Sequence, residues 1–144
     1  MEISDVRIRL ADGQQSRPNE RIRAYCSCTL DRILVICDLK IVQGTHGLFV
    51  AMPSRKLCDH CPGRDCCAKN ELRARYCKSC GIRLDEDRAI RGVPGRAKLH
   101  VDVAHPIDRA FRQQIHTVIL TEYARVRDNP TLQRNWYNDT ASED

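Results

Sequence analysis

Six of the nine cysteines of this 144-residue chain fall between positions 58 and 80, and their spacing limits what that stretch can become. Cys58-Asp59-His60-Cys61 and Cys77-Lys78-Ser79-Cys80 are two C-x2-C pairs separated by fifteen residues, the pattern of a four-thiolate zinc site. Two intervening residues let a tight turn aim both sulfurs at one ion, and the longer loop brings the second pair across. Pro62-Gly63 and Gly81 follow the pairs, as sharp turns require. The expected ligands are Cys58, Cys61, Cys77 and Cys80. Such a set closes the coordination shell, so the Zn²⁺ is expected to be structural, its role to fold the segment around it. Cys66 or Cys67 could replace a member of the first pair, and His60 could coordinate as well; spacing does not decide between them.

The longest aliphatic run, Ile33 to Ile36, is too short to span a bilayer, and Met1-Glu2-Ile3-Ser4-Asp5 lacks the basic and apolar regions of a signal peptide. A cytoplasmic protein is expected, in a reducing compartment where thiols bind metal or fill cores more often than they form disulfides. An odd cysteine count also argues against a fully paired framework. The net charge of +5 is unevenly placed: residues 53–100 carry twelve bases and six acids, the remainder twelve bases and thirteen acids. Arg64, Arg73, Arg75, Lys78 and Arg83 lie close in sequence to the candidate thiolates, whose four charges with one Zn²⁺ sum to −2. Part of the basic surplus is therefore expected to balance the metal site.

Outside this segment the period is two. Val6, Ile8 and Leu10 predict a first strand, and Ile22, Ala24, Cys26, Cys28 and Leu30 a second, beyond a polar loop at Ala11 to Glu20. Ile33, Val35, Cys37, Leu39 and Ile41 share one face of a third, and its other face begins apolar at Leu34 and Ile36 and turns polar at Asp38 and Lys40. A glycine-flanked turn leads to a fourth strand, Leu48 to Met52, ended by Pro53. Leu99, Val101 and Val103 predict a fifth, returning to the same sheet. Cys26, Cys28 and Cys37 keep step with aliphatic neighbours and are expected to fill the core as small hydrophobes. From Asp108, the expected N-cap, Phe111, Ile115, Val118, Ile119, Tyr123 and Val126 follow helical spacing until Asn129-Pro130. The fold class is thus α+β: a small antiparallel β-sheet of about five strands with a C-terminal helix packed on it, interrupted by a small four-cysteine, zinc-ribbon-like insert. Residues 128–144 are expected to form a flexible tail anchored only by Trp136 and Tyr137.

With the segment from about Leu57 to Lys98 removed, the chain resembles the SpoVG family, the septation or stage V sporulation protein G regulators of bacteria. Carrying the resemblance are Met1 to Arg7, Arg21-Ile22-Arg23-Ala24, Thr29-Leu30-Asp31, the stretch Gly47-Leu48-Phe49-Val50-Ala51-Met52-Pro53-Ser54, His105-Pro106-Ile107 and Leu120-Thr121-Glu122-Tyr123. It covers residues 1–56 and 99–127, with 57–98 as the insert. The resemblance implies a homodimer that binds DNA or RNA with sequence preference and regulates gene expression. It also places a basic pair after Pro-Ser, at Arg55 and Lys56, and a helix arginine at Arg112.

Arg55, Lys56, Arg109 and Arg112 are accordingly the candidates to neutralise phosphate, the contact that dominates nucleic-acid affinity. Aromatic residues are only 5% of the chain, so a stacking platform for bases is poorly supplied. Tyr25 and Phe49 could contribute but are expected in the core or at a dimer interface. His105 with Asp102 or Asp108 is the one grouping suggestive of catalysis, and a strand-to-helix junction with a helix cap accounts for it better, so no enzymatic activity is expected. The competing functional class is a protein-interaction module whose insert contacts a partner while its bases only balance thiolates.

Overall fold

The computed structural model describes residues 1–11, 21–85, 88, 90–93 and 96–134. They form two compact units, Met1–Pro53 with the chain from Ala104 onward, and Ser54–Val103. In the first, β1 (Ile3–Leu10), β2 (Ile22–Leu30), β3 (Leu34–Gly44) and β4 (Gly47–Ala51) pair antiparallel in sequence order. Each links to the next without crossover, as short connections between alternating strands dictate. The polar loop expected between β1 and β2 lies, beyond Ala11, outside the described residues. The β2–β3 turn places Asp31 and Arg32 at φ 50° and 59°, the paired left-handed geometry whose twist matches a hairpin. Asp31 also binds the chain start, donating to the Glu2 carbonyl and accepting from the Glu2 N–H.

The four strands preceding the cysteine cluster are where alternation put them, with shifts of register at Ile3/Asp5, Ile22/Ala24 and Cys26/Cys28, the last of which changes the phase of β3. Cys26 faces Leu39 and Cys28 faces Ile36, so three steps along β3 oppose two along β2. This bulge holds Asp38 at φ 60°. Leu39 and Ile41 are buried as expected, but the bulge turns Ile36 toward the core and leaves Ile33 and Val35 exposed. Cys37, in the bulge, is only half-buried, whereas Cys26 and Cys28 lie in the core. Burial pushes the Cys26 thiol up to about 12 and Cys28 up to about 11, with a smaller contribution from the neighbouring sulfur in each case. These are inert core thiols.

Helix α1 (Arg109–Asp128) begins at Asp108, whose carboxylate accepts the Phe111 N–H at 2.7 Å. Ile115, Ile119, Tyr123 and Val126 recur on one face and bury against Ile8, Ala24, Cys26, Leu39 and Ile41. The chain beyond the helix is not free up to residue 134. A 3₁₀ turn at Pro130–Leu132 leads to Gln133 and Arg134, which satisfy the outer edge of β1: Leu10 N–H donates to the Gln133 side chain and Arg134 N–H to the Ile8 carbonyl. Trp136 and Tyr137 lie outside the described residues.

The second unit is built from short ribbons: β5 (Ser54–Lys56), β6 (Cys58–His60), β7 (Lys69–Glu71), β8 (Ile90–Val93), β9 (Arg96–Lys98) and β10 (His100–Asp102), paired as β5 with β10, β6 with β7 and β8 with β9. Here the sheet expectation needs correction. The fifth strand does not return to the main sheet, which has four strands; Val101 pairs with Arg55, and Val103 is exposed. The two ends of the segment close on each other, the nearest partner for a chain that must come back to where it left.

Candidate functional site

The second unit's core consists of sulfur as much as hydrocarbon. Cys61, Cys77 and Leu84 are buried together, with Cys66, Ala68 and Ala74 packed against them. The Sγ atoms of Cys61, Cys66, Cys77 and Cys80 all lie within 4.8 Å of one another, with Cys61–Cys80 and Cys66–Cys77 at 3.6 Å. Four sulfurs about 2.3 Å from a tetrahedral ion stand about 3.8 Å apart, so the cluster has the dimensions of a thiolate metal site. These four cysteines could hold a metal ion.

Three of the four cysteines expected as ligands are thus brought together, and Cys66 stands where Cys58 was expected. The reason is backbone geometry. Cys58 begins β6, an extended strand in which three steps span about 10 Å, so Cys58 and Cys61 cannot converge on one ion. Cys58 is exposed, with its sulfur 3.8 Å from the Lys56 carbonyl, and His60 and Cys67 are exposed outside the cluster. The turn comes after Cys61, through Pro62-Gly63-Arg64-Asp65, with Asp65 at φ 60°, and it delivers Cys66. The signal was present in the sequence: Pro62-Gly63 marks a turn beyond Cys61, whereas nothing between Cys58 and Cys61 favours one.

Both turns present backbone N–H groups to sulfur. Gly63 N–H donates to Cys61 Sγ at 3.3 Å and Ser79 N–H to Cys77 Sγ at 3.4 Å. A Cβ at Gly63 would stand 3.3 Å from Cys61 Sγ and 3.2 Å from the Ile82 side chain, so any larger residue there requires these neighbours to yield. Gly81, at φ 77°, closes the second turn with its N–H on the Cys77 carbonyl. As thiols the cysteines are not equivalent. The Cys80 N–H, the Asn70 side chain and the Ser79 N–H push Cys77 down to about 5. At Cys61 the Gly63 N–H favours the thiolate, but burial and the crowding of Cys80, Cys77 and Cys66 outweigh it and push the group up to about 12.

Two polar residues that the sequence did not single out support this cluster. Asn70 is 2% exposed; its amide donates to the Ala68 carbonyl and its oxygen accepts the Lys78 N–H at 3.0 Å, which fixes the turn carrying Cys77. Arg88 lies 3.1 Å from the Asp59 carboxylate and donates to the Glu71 and Ala74 carbonyls, tying β6 to the chain around β7. Arg64, Arg73, Arg75, Lys78 and Arg83 are all exposed.

The candidate phosphate contacts divide between the units. Arg55 and Lys56 are exposed on β5, and Lys56 pairs with Glu71 at 3.1 Å. Arg109 and Arg112 are exposed in the first turns of α1, which hold no acidic residue. Asp108 is committed to the helix cap. No helix among the described residues is long and apolar enough to cross a membrane.

A four-stranded antiparallel sheet backed by one helix, with a cysteine-clustered second unit, defines an α+β protein carrying a candidate thiolate metal centre. The SpoVG family model matches residues 1–125. Similar proteins named "Putative septation protein SpoVG" occur in Clostridium acetobutylicum, 31% identical over 128 residues covering 89% of this chain and 90% of that protein, and in Bacillus velezensis, 30% identical with 92% and 93% covered. A "SpoVG 2" protein of Listeria monocytogenes is 32% identical, with 88% and 81% covered. The chain belongs to the SpoVG family.

Proposed function

We propose that this SpoVG-family protein is a nucleic-acid-binding regulator of gene expression, working as a homodimer in the cytoplasm, with a structural Zn²⁺ that folds the second unit. The names of its relatives extend the proposal to septation. The observation that carries nucleic-acid binding is the start of α1. Arginines at the positive end of a helix dipole oppose it, and Arg109 and Arg112 stand there with no acid in the first turn. The Asp108 carboxylate meets the dipole at the N-cap, and the two exposed arginines beyond it offer positive charge to an anionic ligand. Arg55 and Lys56 add exposed charge on β5. Zinc is supported by the sulfur spacing and by the lack of any open ligand position in a four-cysteine set.

A second reading, a protein-interaction module, draws support from Tyr76 and Ile82, apolar side chains exposed on the second unit. A salt titration distinguishes the two. Under the nucleic-acid reading, log K for DNA or RNA falls linearly with log salt, and Arg55→Ala/Lys56→Ala flattens that slope by about 1 to 2. Affinity that ignores both salt and the double substitution rejects it. Sedimentation measures the dimer, and native mass measurement the bound zinc.

A further inference from the structure

Helix α1 covers one face of the four-stranded sheet, and the opposite face is lined by the alternate residues of each strand. Two adjacent rows on it combine charge and aromatic surface. In the first, Arg9 pairs with Tyr25 and Tyr25 with Lys40, across β1, β2 and β3. In the second, Val42 pairs with Phe49, and Arg23 lies beside them between Ile22 and Ala24, whose partners are Val42 and Ile41. Neither aromatic joins the hydrophobic core, the first of the two places expected from sequence. Phe49 is 44% exposed, and its ring rests against Gly44, where a Cβ would stand 3.1 Å from it. The Arg9 guanidinium lies over the Tyr25 ring at 5.2 Å, extending that ring's flat surface with a cationic one.

These two rows hold three cations, two aromatic rings and no acid. Asp5, further along the same face, is held by Arg7 and Arg134, and Asp38 is exposed two residues from Lys40, beyond the first row. A surface of this kind complements a polyanion that also offers flat apolar groups. Single-stranded nucleic acid is such a ligand, because its bases are free to stack, whereas a duplex hides them. Tyr25 and Phe49 are two strands and two residues apart, about 12 Å, so they meet separate bases with Lys40 between them to hold phosphate.

We propose that this open sheet face is a binding platform for single-stranded nucleic acid, with Tyr25 and Phe49 stacking bases and Arg9, Arg23 and Lys40 holding the backbone. The proposal rests on the nucleic-acid reading above but uses none of its four basic residues. Fluorescence anisotropy of the full chain with a labelled uridine dodecamer, and with a duplex of equal length, tests it. Tyr25→Ala and Phe49→Ala each weaken the dodecamer about tenfold, Tyr25→Phe keeps the ring and the affinity, and duplex binding is unmoved by all three. Lys40→Gln lowers the salt slope for the dodecamer by about 1. Photocrosslinking of the unsubstituted protein to an iodouridine-containing dodecamer gives adducts on Tyr25 or Phe49, a result that does not depend on how the variants fold. Adducts confined to other residues, or alanine variants that fold and bind the dodecamer as tightly as the parent, overturn the platform and leave the regulator reading standing. Failure to bind either form at low salt removes both.

Discussion

The two units of this protein solve the same problem with different materials. In the first, eleven buried residues from three strands and one helix form a continuous core. The second runs from Ser54 to Val103, yet among the described residues its buried cluster is Cys61, Cys77 and Leu84, with Leu72 and Asn70 also enclosed. Hydrocarbon burial on that scale does not offset the entropy of ordering about fifty residues, and small units of this kind are held by metal or disulfides. Stability in the first unit is a matter of shape, and in the second, under the proposed zinc site, a matter of coordination. Perturbations should therefore separate them.

The largest effect expected is from removing the ion. Structural zinc contributes about 10 to 16 kcal/mol of apparent binding energy that is also folding energy. Chelation, or Cys77→Ser, should make residues 54–103 labile to limited proteolysis while the helical signal of α1 persists. Loss of the helix along with the metal would show that the units do not stand apart. The same comparison runs in reverse at Ile119, which is fully buried at the centre of the helix face. Ile119→Ala should cost about 2 to 5 kcal/mol in urea unfolding followed at 222 nm, with the zinc content of the native protein unchanged.

Legibility from sequence divides along the same line. Where apolar burial decides, period-two and period-3.6 patterns carried the answer, as at Val6, Ile8, Ala24 and Cys26 in the strands and Ile115 to Val126 in the helix. The failures lie where backbone geometry intervenes. At Asp38 a non-glycine residue adopts φ 60° and shifts the phase of β3, so Ile33 and Val35 face out although the alternation runs on unbroken through Cys37, Leu39 and Ile41. Leu99 to Val103 alternates as a sheet strand should, but alternation does not name a partner, and chain closure gave it β5. Among the cysteines, spacing picked out three of the four clustered sulfurs, and the turn at Pro62-Gly63 brings Cys66 to the cluster in place of Cys58. Asn70 carried no signal, since a lone asparagine acquires its role only once buried beneath the Cys77 turn.

Asn70 offers a finer test of the second unit. It accepts the Lys78 N–H in the turn that carries Cys77, and its side chain also favours the Cys77 thiolate, so Asn70→Ala leaves all four sulfurs present but one of them unsupported. Zinc affinity should fall about 10- to 100-fold, as for the loss of other groups that orient ligands, while α1 unfolds in urea as before. Unchanged affinity would mean that the sulfurs are placed by coordination alone.

The smallest effect belongs to the first unit and depends on pH. Asp5 is partly buried, which alone would raise its pKa, but the hydrogen bond from Arg7 and the charge of Arg134 hold it below the usual carboxylate range. A group depressed in the folded state stabilises it above the unfolded pKa, near 3.9, and the contribution disappears as pH falls through the folded value. Asp5→Asn should cost about 0.5 to 1 kcal/mol at pH 7, since Arg134 is half exposed and the pair is screened, and the cost should shrink as acid protonates the carboxylate. Metal binding by thiolates also weakens as pH falls, because protons compete for sulfur, so both units lose stability in acid for different reasons. The substitution tells them apart: the pH at which zinc is released should be the same in Asp5→Asn as in the parent, and only urea unfolding of α1 should distinguish the two proteins. A shift in zinc release would instead mean that the end of β1 and the cysteine cluster are energetically linked.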